Sequence, residues 1–146
     1  MGWTAPATPA PGDQLLASWW NAQIRDNLLA LKMRTVEFGK SGTLAVTTTG
    51  GRWYLPYAIT LVDMVLSVGT APTGADLIVD VHKSGTTVFT TQGNRPTVAA
   101  TEFVDTAATP DVTAVASGSY LEVLVDQIGS TIAGADATLT IRYYVT

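Results

Sequence analysis

The sequence predicts a mainly β protein, an antiparallel β-sandwich, with a Pro-rich arm and one amphipathic helix ahead of it. Three observations carry that prediction. From Thr43 onward apolar and polar residues alternate with a period of two in short runs. Clusters of Gly, Pro, Asn and Asp separate those runs with no helical pattern between them, which favours antiparallel pairing over alternating βα units. Before Thr43 the apolar spacing is that of a helix: Leu16, Trp20, Ile24, Leu28 and Leu31 recur at intervals of four, four, four and three.

The elements follow in order. Residues 4–12 carry Pro6, Pro9 and Pro11, which favour extended backbone and exclude a helix. Trp3 on that arm reads either as a staple onto the following helix or as an anchor in a partner. Asp13 is the expected N-cap of a helix over 13–34, its carboxylate suited to the first-turn amides. Leu15, Trp19, Leu29 and Met33 add a second apolar stripe, and only a wedge holding Asn21, Arg25 and Lys32 is polar. A helix greasy on most of its circumference must be covered, and with no second helix in the sequence the cover expected is other chains. Thr35, Val36, Gly39 and Gly42 predict a helix stop and hinge over 35–42. The domain division expected is therefore an arm and attachment helix over 1–42 and a β-sandwich over 43–146.

Strands are expected at 43–47, 52–56, 59–68, Leu77–Lys83, 86–91, 97–104, 111–115, 120–128 and 137–145. Lys83-Ser84-Gly85 reads as a tight hairpin turn, with Gly50-Gly51 and residues 116–119 as further turns. The β region also repeats itself. Gly69, four residues, then Gly74-Ala75-Asp76 recurs 60 positions later as Gly129, four residues, then Gly134-Ala135-Asp136, each copy running into a strand. Two equivalent strand–loop–strand corners suit a sandwich with related halves, of the jelly-roll kind. Turn chemistry, with the Asp side chains bonding their own turn amides, explains the corners better than a Ca²⁺ site using Asp76, Asp136 and Asp80 or Asp126. Neither loop has the D-x-D-x-D run or the glutamate that a hard cation's six or more oxygens require.

Composition narrows the function. Net charge is −4, with 14% charged and 47% hydrophobic residues, so the chain is no disordered tail. Four basic residues face three acidic ones before Thr43, and four face nine from there on, a balance of +1 against −5. An acidic β module repels phosphate backbones, so no nucleic-acid partner is expected. Without cysteine there are no disulfides or thiolate sites. No run of about 18 apolar residues is present, so no membrane partner is expected either. The leader lacks the basic and apolar regions of a secretory signal, which implies synthesis in a cytoplasm.

Catalytic equipment is sparse. His82 is the lone histidine and reads as an exposed or hydrogen-bonded strand residue; with no Cys and no Gly-x-Ser-x-Gly elbow, triads and zinc sites lack parts. Asp63, Glu102, Asp105, Asp111 and Glu122 fall on expected loops and solvent faces rather than as a facing pair. No enzyme, cofactor, metal or catalytic residue is expected. The aromatic strip Trp53, Tyr54 and Tyr57 reads first as an internal or intersubunit seam and second as a surface for a partner or sugar rings.

Residues 15–32 (LLASWWNAQIRDNLLALK), together with 68–91, 95–100 and 126–141, resemble structural proteins encoded by tailed bacteriophages. Asn21, Arg25, Asp26, Asn27 and Leu28 match the helix motif of that family, and Pro72, Gly74, Ala75 and Gly85 match the sandwich motif. The resemblance implies a virion surface protein of the head fibre, capsid decoration, minor tail or tail-fibre type, in which an N-terminal attachment region precedes a projecting β-sandwich. The leading expectation is a homotrimer docked to phage capsid or tail proteins; the alternative is a receptor- or carbohydrate-binding module that meets a host cell-surface glycan through Trp53, Tyr54 and Tyr57 or the loops 70–73 and 130–133. The apolar stripes and the arm tryptophan give the attachment and oligomer interface expected: Trp3, Leu16, Trp19, Trp20, Ile24, Leu28 and Leu31. The chain lacks the long shaft of large fibres.

Overall fold

The computed structural model describes residues 24–48 and 51–146. The arm, the first part of the expected helix and Gly50 lie outside the described residues. The chain divides into two units between Arg34 and Thr35. In the first, helix α1 spans Asp26–Leu31, and the amide of Lys32 donates to the carbonyl of Leu28 at 3.2 Å to close its last turn. Among the described residues no helix is long and apolar enough to cross a membrane.

The expected hinge at 35–42 is instead strand. β1 runs over Met33–Thr43 at the edge of a sheet, with Val36 and Phe38 turned toward the core and the other side chains from Arg34 to Thr43 exposed. An edge strand pairs on one side only, so Gly39 and Gly42 interrupt it less than they would a central one. Pairing ends at Thr43 and resumes at β2, Thr47–Thr48, so the strand expected over 43–47 is mostly a link. Leu44 in that link is buried, and its amide donates to the carbonyl of Gly134 at 3.0 Å.

The remaining strands are β3 (Trp53–Tyr54), β4 (Ile59–Thr70), β5 (Leu77–Lys83), β6 (Thr86–Thr87), β7 (Thr97–Val98), β8 (Ala114–Val115), β9 (Tyr120–Gln127) and β10 (Ala135–Val145). One sheet has the order β1-β10-β4-β8; the other is β2-β9-β5-β6, with β3 also on β9 and β7 also on β5. Since β5 occupies the other side of β9, β2 and β3 are two stretches of one interrupted strand. By the same logic β6 and β7 lie along one side of β5. Counted that way, the eight strands pair 1-8-3-6 and 2-7-4-5, the double Greek key of a jelly roll. The protein is an antiparallel β-sandwich.

Period-two residues from both sheets make the core: Leu61, Met64, Leu66, Leu139 and Ile141 on one side, Leu77, Val79, Val81, Leu121 and Val123 on the other. Each such side chain contributes about 1.5–3 kcal/mol by leaving water. Phe89, from the segment between β6 and β7, is fully buried. The inward set of β4 changes parity, from Ile59 and Leu61 to Met64, Leu66 and Val68. A bulge explains it: Arg142 pairs with Asp63 and Tyr143 with Leu61, leaving Val62 as the extra residue.

The expected strands 52–56, 86–91, 97–104 and 111–115 are all shorter than the alternation suggested, in part because side chains take over from the ladder. The Thr87 hydroxyl accepts from the amide of Phe89 at 3.0 Å, ending β6. The Asp111 carboxylate accepts from the amide of Thr91 at 2.7 Å. Residues 104–108 remain extended beside β4, touching its ladder at Ser67–Val104 and Met64–Ala108. The hairpin behaves as expected: Ser84 (φ 48°) and Gly85 (φ 86°) both take left-handed backbone between the paired β5 and β6, the signature of a type I′ turn.

Candidate functional site

Period two splits the aromatic strip. Trp53 points between the sheets, where its ring centroid lies 5.4 Å from that of Tyr143 at an interplanar angle of 59°. It is a seam inside the sandwich. Tyr54 points outward and is 59% exposed. Its partner in register is Tyr120 on β9, with ring centroids 5.3 Å apart. The Arg52 guanidinium carbon sits 4.3 Å from the centre of the Tyr120 ring, and Arg52 Nε donates to Glu122 Oε2 at 3.2 Å. Tyr57, beyond Pro56, is also exposed. The outer face thus offers two tilted phenol rings beside an ion pair, a surface that suits a flat or polar partner. Tyr120 and Glu122 were outside the sequence strip; the signal for them was the alternation of 120–126, which puts them on the face opposite Leu121 and Val123.

Of the attachment residues expected from the sequence, Trp3, Leu16, Trp19 and Trp20 lie outside the described residues. Ile24 is half-buried, while Leu28 and Leu31 are 53% and 70% exposed. Three positions apart on α1, these two leucines share a face and present apolar surface to solvent.

The repeated corners meet each other. The amide of Thr73 donates to the carbonyl of Ile132 at 3.0 Å, and the amide of Thr131 donates to the carbonyl of Thr73 at 2.9 Å. Ile132's amide donates to Thr73 Oγ1 at 3.1 Å. Gly74 (φ 81°) and Gly134 (φ 92°) adopt the same left-handed backbone. Their aspartates do equivalent work, but not the local turn bonding expected of them. Asp76 Oδ1 accepts from the amide of Ala100 at 2.9 Å, and Asp136 Oδ1 from the amide of Gly42 at 2.8 Å, so each ties its corner to a distant segment.

His82 is a hydrogen-bonded pair member, its Nε2 3.2 Å from Asp80 Oδ2. The buried Asp80 also accepts through Oδ1 from the Val81 amide at 2.7 Å and the Thr87 hydroxyl at 2.8 Å. The carboxylate stands between hydroxyl and imidazole. Nucleophile activation needs the imidazole in that place, so this cluster anchors the β5–β6 hairpin.

No protein-family model matches the chain, and no curated protein matches it. Among solved structures, a chain from the Cyanophage Pam1 capsid asymmetric unit is similar over 79% of this chain and 84% of that one, with 16% identity and a TM-score of 0.44.

Proposed function

We propose that this chain is a structural protein of a bacteriophage virion, made in the host cytoplasm. In this reading it is a projecting, homotrimeric decoration or fibre module that docks to capsid or tail through its N-terminal arm and helix. The observation that carries the reading is the open leucine pair, Leu28 and Leu31, on a helix assigned to a different unit from the sandwich and absent from the sandwich's buried cluster among the described residues. Apolar side chains left open to solvent on one helix face are surface suited to another protein. The resemblance of residues 15–32 to phage attachment helices supplies the virion as the setting.

Virion capture tests this. Particles assembled with wild-type protein should retain it through purification. Leu28→Asp with Leu31→Asp should leave the sandwich folded and reduce retention at least about tenfold, because an unpaired charge in a buried seam costs several kcal/mol. Normal retention of the double variant would refute attachment through the helix. Copy number by gel densitometry separates the two locations: enough copies to tile a capsid for decoration, a handful for a tail tip.

The exposed Tyr54, packed against the half-buried Tyr120 and flanked by Arg52 and Glu122, favours a second reading, adhesion to a host-surface glycan. Loss of particle adsorption in Tyr54→Ala, with retention unchanged, would support it over a purely structural role.

A further inference from the structure

A polar cleft of 460 Å³ opens between the turn at 92–97 and the extended segment at 105–109. That volume lies in the range of small-ligand sites, roughly 300–1,000 Å³. Both walls are fixed in advance. Asp111 holds the turn by accepting from the Thr91 amide at 2.7 Å and from Asn94 Nδ2 at 3.3 Å. Arg95 braces the turn, its Nε donating to the Gln92 carbonyl at 2.8 Å and its Nη1 to Asp126 at 2.6 Å. The opposite wall is pinned to β4, where the amides of Asp105 and Ala108 donate to the carbonyls of Leu66 and Met64 at 2.8 and 2.7 Å. A site that need not reorganise loses less on binding.

The lining selects the ligand class. Thr97, Thr106 and Thr109 bring hydroxyls, Asn94 an amide and Asp105 a carboxylate. Arg95's charge is answered by Asp126, so the carboxylate of Asp105 is left as the cleft's charge, and an anion is disfavoured. A hard cation is disfavoured too, since Asp105 is the cleft's sole carboxylate. Its oxygens already accept from the Thr97 amide at 2.9 Å and the Thr106 hydroxyl at 3.4 Å. A carboxylate partly withdrawn from water gains most from new O–H donors. Phe103, two residues before Asp105, is 56% exposed and adds an open ring face nearby in sequence.

We propose that this cleft binds a sugar residue, with Asp105 accepting from ligand hydroxyls and Asn94, Thr106 and Thr109 completing the hydrogen bonds. Paired hydroxyls that both donate and accept match this mixed lining, and the site is separate from the Tyr54–Tyr120 face. It does not depend on where the protein sits in a particle.

Saturation-transfer NMR on the full chain tests it, with D-glucose, D-galactose, N-acetyl-D-glucosamine and L-rhamnose each titrated into the tens of millimolar. At least one sugar should give a saturable signal. Asp105→Asn should weaken its affinity about tenfold, the worth of a hydrogen bond to a charged group. Thr109→Val, at an exposed position outside the β ladders, should weaken it several-fold with the melting temperature unchanged. Tyr54→Ala should have no effect. Absence of a saturable signal from every sugar would overturn the proposal. So would a signal that survives both cleft substitutions or disappears in Tyr54→Ala.

Discussion

Gly129 and Gly118 show at the scale of one residue how differently two turn glycines are constrained. A Cβ on Gly129 would collide with the Ile132 carbonyl oxygen and stand 2.8 Å from the Thr73 amide nitrogen, so the backbone of both corners would have to move. Gly118 has φ +80° but nothing within 4 Å, and its cost is conformational alone. Denaturant unfolding should therefore find Gly129→Ala destabilised by roughly 3 kcal/mol or more and Gly118→Ala by about 1 kcal/mol. Equal losses would mean that the corners do not pack as described. Two carboxylates make a pair of opposite sign. The Thr91 amide donating to Asp111 holds its pKa below the usual value, so its stabilisation is present above that value and is lost as pH falls through the folded one. Burial pushes Asp105 up, so its charged form is penalised at neutral pH and stability from this group rises as pH falls through the raised value. Asp111→Asn should be less stable than wild type at neutral pH. Asp105→Asn, whose amide oxygen can still accept from Thr97, should be equal or more stable there. Both differences should shrink in acid when stability is measured against pH.

At the scale of elements, β4 tests whether register or composition holds the sheet. Val62 is the bulged residue, with Val62 and Asp63 both on the outward side. Deleting Val62 leaves Ile59, Leu61, Met64, Leu66 and Val68 in unbroken alternation, so the protein should still unfold cooperatively. Deleting Val65 forces either Met64 or Leu66 outward, or Asp63 inward, and should cost more than about 3 kcal/mol. Similar stability of the two deletions would refute this register. The contrast explains what was legible in the sequence. The inward apolar residues of β5 (Leu77, Val79, Val81), β9 (Leu121, Val123, Val125) and β10 (Ala137, Leu139, Ile141, Tyr143) fall at every second position, and the expected positions of these strands agree with the structure to within about two residues. β1 was not legible, because Val36 and Phe38 are its only inward apolar residues before Gly39 and Gly42 read as breakers. The splitting of Trp53 from Tyr54 was implicit in the period of two. The cleft was not, since Arg95 and Asp105 line it together only because the 105–109 segment touches β4 at Ala108 and the 92–97 turn is held by Asp111 and Asp126.

At the scale of the whole molecule, the division between Arg34 and Thr35 separates two chemistries. Among the described residues, the sandwich's 22-residue buried cluster runs from Leu44 to Tyr143, with Val36 and Phe38 of β1 packed against it, and from Thr43 onward the chain carries four basic against nine acidic residues. Such a module has the core to fold alone and the charge to stay dispersed. Leu28 and Leu31, by contrast, lie on the other unit and are open to solvent. If these leucines serve association and contribute nothing to the sandwich, removing them should change the assembly state without changing the fold. A fragment spanning 32–146, which keeps the whole of β1, should melt within about 3 °C of the full chain's sandwich transition, a difference worth less than about 1 kcal/mol at this size. Sedimentation should show the fragment as a monomer and the full chain as a trimer. A fragment that unfolds would mean that the N-terminal unit completes the sandwich, and a full chain that stays monomeric would remove self-association from its role.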